Sequence, residues 1–174
     1  MTVGARPTPI MTTLAYIVRD GRVLLCHRTA RESDMQLGKY NGVGGHMERA
    51  EDPVTCIRRE IHEETGLRVA APTLRGTVSW PGFGPNGEDH FGFVFLVRHG
   101  GPDEPFTRND EGTLAWHPLE TIDALPMWEG DRHFLPLVFD DDPRLFHMVI
   151  PYENGGPTGC TVVREPATPV DSIP

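Results

Sequence analysis

The sequence predicts one α/β domain, a mixed β-sheet between helices, and three stretches carry that reading. An amphipathic helix with a start and a stop signal spans about Pro53 to about Glu64. His90 to Arg98, HFGFVFLVR, holds apolar residues on both faces of its end, the pattern of a central strand covered on both sides. Thr12 to Val18 and Arg22 to His27 are β-rich runs around Asp20-Gly21, a strong hairpin signal. At 174 residues the chain suits a single domain with a sizeable core.

Met1 to Pro9 reads as a flexible N-terminal arm, 10–165 as the domain and 166–174 as a disordered tail. Between the second strand and the helix, Thr29 to Lys39 is a polar loop, and Tyr40-Asn41-Gly42-Val43-Gly44-Gly45 is rich enough in glycine to let a ligand approach the backbone. Leu74 to Trp80 is the next strand, followed by a turn-rich loop, Pro81 to Asp89. After His90 to Arg98, a polar loop from Gly100 to Gly112 leads to a strand over Thr113 to His117 and a helical turn over Leu119 to Leu125. A second helix is expected over Trp128 to Phe139, with Phe134, Leu137 and Val138 toward the core. Phe146 to Ile150 and Cys160 to Val163 form a closing hairpin around Asn154-Gly155-Gly156.

Composition excludes several functions. A formal net charge of -9 argues against a basic surface for a nucleic-acid backbone. Cys26, Cys56 and Cys160 lack paired ligand spacing and read as reduced thiols, and no apolar run approaches a membrane span, so a cytoplasmic protein is expected, monomer or homodimer. The eight histidines show no pair at helical zinc-ligand spacing.

The helix is where chemistry concentrates. Asp52 can cap it with Pro53 in the first position, and Gly66 can end it in the left-handed conformation. At about 100° per residue Val54, Ile57 and Ile61 share an apolar stripe and Glu60, Glu63 and Glu64 a second one. The Glu60–Glu64 pair repels, and Glu63 and Glu64 oppose the helix dipole at its C-terminal end. Crowded carboxylates of this kind take up protons or bind a hard cation, chiefly Mg²⁺ or Mn²⁺. A solvated acidic face is the alternative from spacing alone.

Gly45, five residues, Glu51, seven residues, Arg59-Glu60-Ile61, one residue, Glu63-Glu64, one residue and Gly66-Leu67 resemble the Nudix box at every fixed position. The resemblance implies an α/β/α sandwich and metal-dependent hydrolysis of a nucleoside diphosphate linked to another group, with the Gly45 carbonyl, Glu60, Glu63 and Glu64 as metal ligands. It leaves Glu60, Glu63 or Glu111, in that order, as general base, Arg59 in the catalytic set, and Glu51 and Gly66 in structural roles. Glu51 and Arg59 are expected to pair and to orient the glutamates. Many family members have glycine just before the residue matching Glu51. This chain has Ala50, which predicts a turn without a positive φ.

Five more positions concern substrate. Arg28 is either a surface charge or a phosphate contact, and Asn41 either a turn residue or a reader of a base edge. Trp128-Glu129-Gly130-Asp131, taken with YNGVGG, resembles the MutT-like subset that hydrolyses oxidised purine nucleoside triphosphates, in which a tryptophan stacks on the base and acids read its edge. Gly130 interrupts the usual acidic run, leaving Glu129 and Asp131 both open. The expected substrate is thus a nucleotide small molecule, a nucleoside triphosphate such as 8-oxo-dGTP cleaved to the monophosphate and pyrophosphate. NDP-sugars, dinucleoside polyphosphates and capped RNA are alternatives, and a non-catalytic nucleotide sensor is a further one that the complete carboxylate set disfavours.

Overall fold

The computed structural model describes residues 6–30 and 35–166, so most of the expected arm and tail, and residues 31–34 of the polar loop, lie outside the described residues. Strand β1 (Ile10–Arg19) turns through Asp20-Gly21, both at positive φ, into β2 (Arg22–Arg28). A short β3 (Tyr40–Asn41) pairs with β2, placing Asn41 opposite Cys26. Helix α1 (Pro53–Thr65) follows, then β4 (Thr73–Trp80), β5 (His90–Arg98), β6 (Gly112–Pro118) and a 3₁₀ turn over Leu119–Ala124. Helix α2 (Asp131–Phe139) precedes β7 (Phe146–Val149), β8 (Tyr152–Glu153), β9 (Gly156–Pro157) and β10 (Thr161–Arg164).

The strands form one mixed sheet in the order β10-β7-β4-β5-β1-β2-β3, with β6 on β2 and the β8–β9 hairpin apart. β5 is central as its composition requires: it runs parallel to β1 and antiparallel to β4. Its alternate residues enter two cores. Val94 and Leu96 join Phe134, Leu135 and Val138 of α2 on one face, while Phe95 and Val97 join Ile57 and Ile61 of α1 on the other. The result is a sheet between two helices.

Four expectations are corrected. Val54, in the first turn of α1, is 44% exposed, and the residues the helix buries are Cys56, Ile57, Ile61 and Thr65. Helix α2 starts at Asp131, since residues 128–130 run as a turn ahead of it; Phe134 and Val138 are buried and Leu137 packs against the core as expected, and Leu135 is buried beside them. The closing pair is β7 with β10, but the Asn154-Gly155 turn belongs to the β8–β9 hairpin inserted between them. Ala50 adopts φ 64°, against the expectation for a side-chain-bearing residue. The Glu48 amide is held by Glu51, and that grip, with Arg59 beyond it, imposes the turn at a cost of about 1–2 kcal/mol.

Candidate active site

Helix α1 begins where Asp52 accepts from the amides of Val54 (2.9 Å) and Thr55 (3.0 Å), and ends where Gly66, at φ 77°, donates to the His62 carbonyl. Thr65 and Leu67, both fully buried, seat this end against the sheet. Those anchors fix the azimuth of the helix and with it the direction of each glutamate.

Arg59 is the hub of the charged face. Its Nε and Nη2 each lie 2.9 Å from the Glu51 carboxylate, and Nη1 reaches Glu60 at 2.7 Å and Glu63 at 3.2 Å. The Arg59 guanidinium, with the Glu48 amide, holds the Glu51 carboxyl well below the usual carboxylate range. Glu60 lies against Gly45: a Cβ there would stand 2.6 Å from its carboxylate and would push it aside. Glu64 accepts from the Gly44 amide (3.3 Å), and burial, then Glu111 and Glu60, push its carboxyl up to about 9. Glu111 enters from the loop before β6, where Asn109 accepts from the amides of Glu111 and Gly112 and donates to the Glu64 carbonyl. Glu111 also pairs with Arg28 at the end of β2.

The sequence-derived metal set therefore divides. Glu60, Glu64 and the Gly44-Gly45 backbone converge, whereas Glu63 stays 58% exposed at its side chain, turned to Arg59. Among the described residues no three acidic, histidine or cysteine side chains are gathered closely enough to grip an ion unaided. The donor set nonetheless suits a hard divalent cation: a buried carboxylate raised by two acidic neighbours gains most from positive charge placed among them, and few protein ligands leave room for water and phosphate oxygens.

Next to this cluster lies a cavity of about 160 Å³. Its walls are Thr12, Thr13 and Leu14 of β1, Asn41, Gly42, Gly44, Gly45, Trp80, Phe83, His90, Trp128 and Asp131. A second cleft, lined by Glu60, Arg59 and Glu111, shares Arg28, Gln36, Gly44, Gly45 and His46 with it, so carboxylates and cavity form one groove with Arg28 at the junction. Asn41 is buried and donates through Nδ2 to Gln36, while its Oδ1 has no partner among the described residues. Trp128 Nε1 and Tyr16 Oη are also buried with no hydrogen-bond partner among the described residues. Asp131, at the first position of α2, is 8% exposed, and burial raises its carboxyl to about 7 although Lys39 and Arg132 oppose the shift. Glu129 is exposed and does not line the cavity, which corrects its candidacy: Gly130 spaces the chain so that Asp131, not Glu129, turns inward.

Several lining residues went unnoticed in the sequence. Trp80, Phe83, His46 and His90 carry no local spacing signal, although Phe83 in a glycine-rich loop and His46 directly after Gly45 were visible hints. Phe83 packs edge-on to Trp128 at 5.2 Å between centroids, and His46 and His90 lie 6.0 Å apart.

Comparison with known proteins agrees with this geometry. The NUDIX domain family model matches residues 9–138. The chain is 29% identical over 131 residues to an oxidized purine nucleoside triphosphate hydrolase of Danio rerio, covering 75% of this chain and 80% of that one. It is 32% identical over 127 residues to a Nudix hydrolase of Bacillus subtilis, covering 71% and 75%. A MutT protein of Bacillus halodurans superposes with a TM-score of 0.76 at 25% identity, covering 88% of this chain and 97% of that one. Since the family match runs from the entry to β1 through most of α2 and takes in every carboxylate of the α1 cluster, the chain belongs to the Nudix hydrolases.

Proposed function

We propose that this chain is a divalent-cation-dependent diphosphatase of purine nucleoside triphosphates, oxidised purines such as 8-oxo-dGTP included, yielding the nucleoside monophosphate and pyrophosphate. One observation carries the reading: the carboxylate cluster opens directly into an aromatic-walled cavity, two of whose lining residues bury a polar atom, Asn41 Oδ1 and Trp128 Nε1, with no partner among the described residues. An unpaired buried acceptor or donor costs about 1–3 kcal/mol, and a bound nucleobase that satisfied it would remove that cost. Trp128 supplies a ring for stacking, Asn41 Oδ1 an acceptor, and Asp131 a carboxyl that is half protonated near neutrality and so a donor as well.

At the other end the Gly45 carbonyl, Glu60 and Glu64 would hold Mg²⁺, or Mn²⁺ in its place, with Glu63 joining when it leaves Arg59. The ion would neutralise phosphate oxygens and lower the pKa of a bound water. Arg28, exchanging Glu111 for phosphate, would orient the chain for in-line attack. Water then forms a new P–O bond as the phosphoanhydride breaks, and its proton passes to a carboxylate, Glu60 first and Glu63 or Glu111 after it. The relative named for oxidised purine triphosphates supports the purine assignment.

The test is incubation with Mg²⁺ and a panel of ordinary and oxidised dNTPs, NDP-sugars, dinucleoside polyphosphates and capped RNA, with products identified by mass. Purine monophosphate plus pyrophosphate as the fastest products is the expected result. Faster cleavage of an NDP-sugar or a dinucleotide would overturn it.

A further inference from the structure

Lys39 lies outside the lining of the cavity, yet its ammonium sits 4.5 Å from the centroid of the Trp128 ring. The backbone around it is pinned at three points. Its carbonyl accepts from the Arg28 amide and its own amide donates to the Gln36 carbonyl, both at 2.9 Å, and the next amide, of Tyr40, donates to the Pro126 carbonyl, also at 2.9 Å. Pro126 lies two residues before Trp128, so Lys39 and Trp128 ride on segments joined by a main-chain bond. The Trp128 indole nitrogen makes no hydrogen bond among the described residues, so no such bond fixes the ring there. Phe83 and Tyr152 pack against it in T-shaped contacts, at interplanar angles of 72° and 82°. A cation over a tryptophan face is attracted by the ring quadrupole, most strongly where water is partly excluded, and Lys39 is half-buried.

We infer that Lys39 is a positioning residue of the base end of the groove: from behind, its ammonium holds the Trp128 indole in the cavity wall and thereby sets how tightly a nucleobase is bound. The inference rests on the reading of this cavity as a base pocket. Lys39 has no part in the reaction at phosphorus, so its effect belongs in KM and not in kcat. Lys39 also opposes the rise of the Asp131 carboxyl, which places the same charge close to the acid that faces the cavity.

The test is a double-mutant cycle on the full chain with purine triphosphate and Mg²⁺: wild type, Lys39→Met, Lys39→Arg, Trp128→Phe and Lys39→Met/Trp128→Phe, each checked for an unchanged thermal midpoint. Lys39→Met should raise KM about fivefold, the scale of a partly desolvated cation–π contact, with kcat within about twofold. Lys39→Arg should restore KM. In the Trp128→Phe background the added effect of Lys39→Met should shrink to less than about twofold, because a contact already weakened cannot be lost again. An equal loss in both backgrounds, an unchanged KM, or a fall in kcat alone would overturn the inference. If wild type shows no preference for purines, the purine reading fails, and the cycle run on its best nucleotide still decides whether Lys39 acts through Trp128.

Discussion

Ala50 at φ 64° is held in a conformation that favours glycine, and it adjoins the Glu51 that anchors Arg59. Ala50→Gly should raise stability by about 0.5–1 kcal/mol in urea denaturation, the relief of left-handed strain less the entropy glycine adds to the unfolded chain. Asp131 makes a different residue-scale case. Its carboxyl titrates at about 7 when folded and near 3.8 when exposed, so the native state binds the extra proton between those values. Stability should therefore fall as pH rises from about 4 to 7 and level off above, and the difference between wild type and Asp131→Asn should isolate that slope in thermal melts. The same titration predicts a KM for purine triphosphate that changes near pH 7 in wild type and not in Asp131→Asn.

Helix α1 was the most legible element because its signals are local: the Asp52 cap, Pro53, Gly66 and the glutamate spacing all lie within a few residues of what they control. Its outward direction was less so. Whether Val54 or Cys56 is buried depends on how the helix docks onto β1, and Glu63 is turned away by an arginine whose own position is set by Glu51. Packing at Gly45 follows from this docking. Gly45→Ala should displace the Glu60 carboxylate, a flexible group that yields at little cost, so turnover at saturating Mg²⁺ should drop at least about tenfold while the thermal midpoint moves by only a few degrees. Mg²⁺ added without nucleotide should raise the midpoint of wild type by relieving the crowding of Glu64 with Glu111 and Glu60, and raise it less in Glu64→Gln.

At the scale of the molecule, a central strand with a core on each side could be read from the apolar residues on both faces of HFGFVFLVR, whereas the cavity could not be read at all. Its walls come from β1, the segment before α1, the loop after β4 and the entry to α2, and no local pattern reports distances among segments so far apart in sequence. Arg75 helps hold that assembly together. Only 8% exposed, it leaves the sheet at the irregularity between Leu74 and Gly76 and donates to the carbonyls of Val138, Leu137 and Asp140 at the end of α2, with the Asp140 carboxylate at 2.8 Å. Arg75→Met should cost about 2–3 kcal/mol of unfolding free energy by taking the donor from the buried Val138 carbonyl and from the carbonyls of Leu137 and Asp140. Because α2 opens on Asp131, the same substitution should weaken nucleotide binding more than it alters metal uptake.

The Tyr40 amide bonded to the Pro126 carbonyl stitches the strand that bears Asn41 to the turn that bears Trp128. Its proton is consequently a natural gauge of whether the two jaws stay shut: exchange with deuterated solvent at this single amide should slow when a nucleotide is seated between them, and quicken when the stitch is strained.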